Sequence, residues 1–297
     1  MQDPVARDIA ESESVFAHPA VDPDASLPYG DHPDQVVDFY RPRDGRERSP
    51  LVVVVHGGAW RAPYDRRHIS PFADFLARRG LAVASVEYRR GRDLPQQGGA
   101  GPVAGRWPET FDDLATVLDA LPELVERALP GAADPRRTVL TGHSAGGQLV
   151  LWAAARHVLP ASSPWKLPAP PALRGVVALA PIADFARAVE LDVCGGAVRQ
   201  LLGEPATGDG DGSAAADRRA QTDPAALLPS GIATVVVQGQ EDIVVPAQVA
   251  EAFVDAAARS GETVGLTLLP DTGHFPLIDP AADACAVVAE EIDQLAW

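Results

Sequence analysis

Cysteine is scarce in this chain: Cys194 and Cys285 stand far apart among 297 residues. Two such residues offer neither a metal-binding cluster nor a disulfide framework, so free thiols are expected and no metal is implied. Basic residues are also in short supply, 25 Lys and Arg against 41 Asp and Glu, for a formal net charge of −16. With no basic stripe, such a chain repels nucleic acid and anionic membrane surfaces, and neither is expected as a partner. The acidity is read as solubility. No run reaches the eighteen or so apolar residues of a membrane helix, and the opening MQDPVARDIAESES lacks the basic and apolar regions of a secretory signal. A soluble, cytoplasmic protein is expected. No internal repeat is apparent.

What the chain does have is apolar content near half of its composition, enough to bury a large core in one domain. Residues 1–33, rich in Ala, Asp, Ser and Pro without clear periodicity, read as an irregular arm, and 34–297 as the domain. Gln35 to Arg41 alternates like an antiparallel edge strand. Leu51 to Val55, Leu81 to Tyr88, Thr138 to Thr141, Gly175 to Ala180, Ala233 to Gln238 and Val264 to Leu269 are apolar runs suited to strands buried on both faces. Helical spacing falls between them, at Ser70 to Arg79 with Ser70 as N-cap, Pro108 to Leu121, Ala247 to Arg259 and Ala281 to Leu295. Strand alternating with helix predicts an α/β fold, a mostly parallel sheet with helices on both faces. Arg89 to Trp107 reads as a long loop, and residues 184–222 as a small lid-like insertion whose GEPATGDGDGSAAADRRA portion cannot bury much.

The candidate chemistry centres on Arg137 to Trp152, RTVLTGHSAGGQLVLW. A β-branched run is cut by Gly142, and helix formers begin after Gly147. Ser144 therefore falls at a sharp strand-to-helix turn, with Gly142 and Gly146 two positions either side where side chains would collide with backbone. A serine hydroxyl needs a base, and the base needs orienting. His274, in a turn after the last predicted strand, is the candidate base. Asp242, after the strand Ala233 to Gln238, is the candidate orienting acid, with Glu241 next to it as the alternative. The order Ser144, Asp242, His274 is the one found in α/β-hydrolases. His56-Gly57-Gly58-Ala59-Trp60 follows another buried strand, and its small residues let backbone approach a substrate. Amides of Gly58, Ala59 and Ala145 are the candidate oxyanion donors. Trp60 is a pocket wall or a packing residue, and His143, beside Ser144, a residue that supports or lines the substrate site.

With these motifs in view, the chain from about Gln35 onward resembles α/β-hydrolases of the esterase and lipase type. His56-Gly57-Gly58-Ala59-Trp60 with Gly142-His143-Ser144-Ala145-Gly146-Gly147 is similar to the arylformamidase (kynurenine formamidase) and hormone-sensitive-lipase-like carboxylesterase branch. Ala59 departs from the third glycine of many hormone-sensitive-lipase relatives. The resemblance implies cofactor-free hydrolysis of a small-molecule ester or activated amide, with Ser144 as nucleophile, His274 as base and Asp242 as orienter. The same machinery would also serve an acyltransferase or cyclase, and the fold can carry a non-catalytic binding protein. The sequence leaves the substrate and the oligomeric state open.

Overall fold

The computed structural model describes residues 3–91, 104–204 and 213–297. In chain order these form α1 (Pro4–Ala17), β1 (Ala25–Pro28), β2 (Val36–Tyr40), β3 (Ser49–Val55), α2 (Ser70–Arg78), β4 (Ala82–Val86), α3 (Glu109–Ala128), β5 (Ala133–His143) and α4 (Ala145–Ala154). They continue with β6 (Gly175–Leu179), α5 (Phe185–Glu190), α6 (Ala197–Leu202), α7 (Ser213–Thr222), β7 (Thr234–Gly239), α8 (Ala247–Ser260), β8 (Gly265–Leu269) and α9 (Asp283–Ala296).

Eight strands make one sheet in the order β1-β2-β4-β3-β5-β6-β7-β8. The pairings of β1 with β2 and of β2 with β4 are antiparallel, and those from β4 to β8 are parallel. This is the α/β fold expected. β3 shows why its run is apolar throughout. Leu51, Val53 and Val55 pack on one face with Phe111 of α3, Leu149 and Trp152 of α4 and Phe253 of α8. Val52 and Val54 pack on the other with Phe72 and Leu76 of α2 and Val288 and Ile292 of α9. A strand covered on both faces cannot alternate polar with apolar residues.

Several expectations need correction. The arm before residue 34 is not irregular. Asp3 caps α1 by accepting from the Val5 amide, Pro4 fits the first turn, and Ala25–Pro28 adds an outer strand. β2 is therefore interior to the sheet, with β1 at the edge. Ser70 is not an N-cap: Ile69 precedes the helix, while Ser70 Oγ donates to the Arg67 carbonyl and accepts from the Val21 amide. α3 runs beyond Leu121, carrying Pro122 in its interior. Within 184–222 the chain is helical at α5, α6 and α7. Of α7 only Thr222 is buried, so that helix forms with little apolar surface of its own to cover. The part of the predicted 89–107 loop at 92–103, and 205–212 of the predicted insertion, lie outside the described residues.

Candidate active site

β5 ends at His143 and α4 begins at Ala145, which leaves Ser144 alone to turn the chain. It does so at φ 57° and ψ −117°, a conformation that costs a non-glycine residue on the order of 1–3 kcal/mol. Surrounding bonds hold it there. The Ser144 amide donates to the Leu179 carbonyl at 2.8 Å, and its own carbonyl accepts from Gln148 and Ile182. The turn is so tight that a methyl group on Gly146 would come within 2.1 Å of the Val55 carbonyl oxygen, and one on Gly142 within 2.3 Å of the Gly146 carbonyl oxygen. The collision that the spacing of these glycines implies is thus with backbone, which cannot move aside.

Two loops from the same end of the parallel sheet complete the arrangement. After β7, Asp242 is held by amides of Val244 and Val245, both 2.8 Å from Oδ1, and by Gln238 Nε2 at 3.1 Å from Oδ2. After β8, His274 donates from Nδ1 to Asp242 Oδ2 at 2.7 Å. That bond fixes the ring and leaves Nε2 as its second nitrogen. Glu241 points elsewhere, to Arg7 at 3.2 Å, so the acid facing His274 is Asp242. Ser144 and His274 line one cavity of about 280 Å³. The ring bonds of His274 do not include Ser144 Oγ.

The turn after β3 lies against the serine. A methyl group on Gly57 would meet the His143 carbonyl oxygen at 2.8 Å and Ser144 Cβ at 3.1 Å. Gly58, Ala59 and Trp60 all have positive φ, of 104°, 51° and 55°. Gly58 and Ala59 line the cavity, and Ala145 is fully buried at the start of α4. Among the described residues, the amides of Gly58, Ala59 and Ala145 make no hydrogen bond to protein. Three free donors beside one hydroxyl suit an incoming anionic oxygen.

Beneath this turn sits a buried ion cluster. His56 lies between the Gly57 carbonyl, 2.8 Å from Nδ1, and Glu87 Oε1, 2.9 Å from Nε2, and stacks on Tyr88 with centroids 4.5 Å apart. Burial works to raise the Glu87 carboxyl, but His56, Arg90 and the Arg66 amide outweigh it and hold the group down at about 2. The strained turn therefore rests on an ionised carboxylate.

Trp60 is not a pocket wall. It is fully buried away from the cavity, donating from Nε1 to Gln148 Oε1 at 3.2 Å and meeting Phe185 edge-on. His143 does line the cavity, and burial pushes its imidazole well below the usual histidine range, so it stays neutral. Most of the wall escaped sequence reasoning. Phe16, Tyr64, Val244, Phe275 and Ile278 make it largely apolar, and Arg61 adds a charge. Phe16 comes from α1, which is fastened to the His274 loop by Glu11 on the Gly273 amide and by Ser14 and His18 on Asp279.

Comparison with known proteins gives this geometry a family. The BD-FAE model matches residues 37–256, which include the Gly-Gly turn, the serine turn and Asp242. The chain belongs to the BD-FAE family. The resemblance to α/β-hydrolases of the esterase and lipase type agrees with that assignment. A probable isoprenylcysteine alpha-carbonyl methylesterase of Oryza sativa subsp. japonica is 32% identical over 126 residues, which cover 42% of this chain and 26% of the relative. The isoprenylcysteine alpha-carbonyl methylesterase of Arabidopsis thaliana is 30% identical over 124 residues, again 42% of this chain and 26% of the relative. The match thus spans about a quarter of the length of these relatives. Among solved structures, a truncated carbohydrate esterase from gut microbiota superposes with a TM-score of 0.72 at 17% identity, covering 94% of this chain and 99% of that one. Esterase B from Lactobacillus Rhamnosis (HN001) gives 0.71 at 19% identity, covering 98% of this chain and 92% of that one. At these identities the two structures speak for the α/β-hydrolase fold.

Proposed function

We propose that this BD-FAE member is a serine hydrolase that cleaves a small-molecule carboxylic ester through an acyl-enzyme. The observation that carries the reading is the strained Ser144 sharing one cavity with a histidine whose Nδ1 is bound to a buried aspartate. Ser144 Oγ attacks the ester carbonyl and its proton passes to Nε2 of His274. Such a contact commonly closes only when substrate is bound, which fits an apo arrangement without a direct Ser144–His274 bond. Amides of Gly58, Ala59 and Ala145 hold the oxyanion, each contributing about 2.7–4 kcal/mol to the transition state if typical of such donors. Collapse breaks the carbon–oxygen bond, and the alcohol leaves with the proton from His274. Water then gives a proton to His274 and attacks the acyl carbon, and the acid departs as Ser144 recovers its proton.

An ester is favoured over the formamide suggested by the arylformamidase resemblance, because the relatives and structures named above are all described as esterases. Short 4-nitrophenyl esters assayed beside N-formylkynurenine test the choice. Ser144→Ala is expected to abolish both ester turnover and labelling by a fluorophosphonate; labelling that persisted would place the nucleophile elsewhere.

A further inference from the structure

Among the described residues that line the cavity, Arg61 is the one arginine or lysine. The cavity's histidines differ from it: burial brings His68 down to about 4 and keeps His143 neutral, and His274 is already bound to Asp242 at 2.7 Å. Arginines elsewhere in this acidic chain are commonly paired, even the more deeply buried ones, as in Arg90 with Glu87 at 2.6 Å and Arg156 with Asp119 at 2.8 Å. Arg61 pairs with no carboxylate among the described residues. Its Nη2 is spent on neutral oxygens, the Cys194 carbonyl at 2.9 Å and Gln200 Oε1 at 3.3 Å, which hold the side chain in place. Its Nε is buried without a hydrogen-bond partner. A fixed cation with an unsatisfied buried donor is costly unless something completes it.

The rest of the wall says what accompanies that something. Phe16, Tyr64, Val244 and Phe275 offer apolar and aromatic surface. The Cys194 thiol beside Arg61 gives it no anion, since burial pushes that group up to about 11.

We propose that Arg61 is a substrate-binding residue that receives a carboxylate carried by the substrate, so that the preferred esters are monoanions with an apolar spacer between the carboxylate and the ester. This rests on the hydrolase reading above. Its backbone makes the placement reproducible: the Arg61 amide donates to the Gly58 carbonyl at 2.9 Å, closing the turn that carries the candidate oxyanion donors. The carboxylate would therefore be read by the same loop that faces the reacting carbonyl.

The test uses two matched pairs. One places the carboxylate on the acyl side (4-nitrophenyl hydrogen glutarate against 4-nitrophenyl pentanoate). The other places it on the alcohol side (3-carboxyphenyl acetate against phenyl acetate). For each pair the ratio of kcat/KM, anionic over neutral, is compared between the wild-type protein and Arg61→Gln, so that leaving-group differences cancel. We expect the ratio to fall about tenfold to a hundredfold in one pair, which also tells which side of the ester faces Arg61. Arg61→Lys should restore part of it. A fall of less than tenfold in both pairs overturns the proposal. Should the wild-type protein turn over none of the four esters, the hydrolase reading fails instead. The decision on Arg61 then passes to calorimetric titration with butyl hydrogen glutarate, where a loss of affinity of less than tenfold in the Arg61→Gln protein overturns it and a loss of tenfold or more sustains it. Thermal melting of each variant shows that it is folded.

Discussion

The His143 ring donates from Nε2 to the backbone carbonyl of His274 at 3.0 Å, and the two imidazoles lie with centroids 4.3 Å apart. One histidine thus steadies the other across 131 residues of sequence. A carbonyl can only accept, and a buried neutral ring has a single proton to give, so the proton of His143 is on Nε2.

Replacing His143 by Leu leaves the His274 carbonyl buried without its donor and frees the loop that carries the ring. Such a loss costs about 1–3 kcal/mol. Steady-state kinetics should show kcat reduced about tenfold or more with KM little changed, because the positioning of His274 suffers before the cavity walls do. A larger effect on KM would point to direct substrate contact.

Asp242→Asn should keep the fold, since the new amide oxygen can still accept from Val244 and Val245. It cannot hold His274 in the same tautomer. The expected drop in kcat is about 10⁴, the size seen when an orienting aspartate is changed to asparagine in a Ser-His-Asp site. Proton NMR supplies an independent check: the downfield Nδ1–H signal of a carboxylate-bound imidazole should vanish in the variant.

Glu87 predicts a particular acid sensitivity. Its carboxyl is held down at about 2 against an ordinary 4.5, so the folded state favours the ionised form. The stabilisation is present in full above pH 4.5 and drains away as pH falls toward 2, amounting to about 3 kcal/mol at neutrality. Glu87→Gln should lower Tm at pH 7, with the gap to the wild-type protein closing as pH approaches 2. Melting curves across that range test it.

Asp223 behaves in the opposite sense. It accepts from amides of Phe185 and Ala225, yet burial raises its carboxyl to about 6. The folded chain then binds the proton more tightly than the unfolded one, so stability declines as pH rises from about 4 to about 6, and the cost persists above that. Asn at this position can still accept from both amides without the charge. Its pair with Arg219 is partly exposed and worth little. Asp223→Asn should therefore raise Tm at pH 8, and the gain should disappear by pH 4.

The contrast between Leu51 to Val55 and α1 explains how far the sequence could be read. A strand buried on both faces announces itself locally, and the serine turn does so through glycines that backbone contact makes necessary. Asp242 and His274 could be proposed because each follows a strand that ends at the same edge of the sheet. α1 has no such local signature. Val5 and Ile9 are exposed, only Val15 is buried, and the helix is held through polar bonds to residues more than 230 positions away. No window of sequence contains both ends of such a bond. Trp60 and Arg61 make the same point side by side: adjacent residues of one turn, one sealed in the core and one on the cavity, with nothing in their spacing to say which.

Phe16 and Phe275 meet edge to face on the cavity wall with centroids 5.6 Å apart, one from the first helix and the other from the last strand-to-helix connection. Anything that unfastens α1 therefore strips an aromatic side from the chamber.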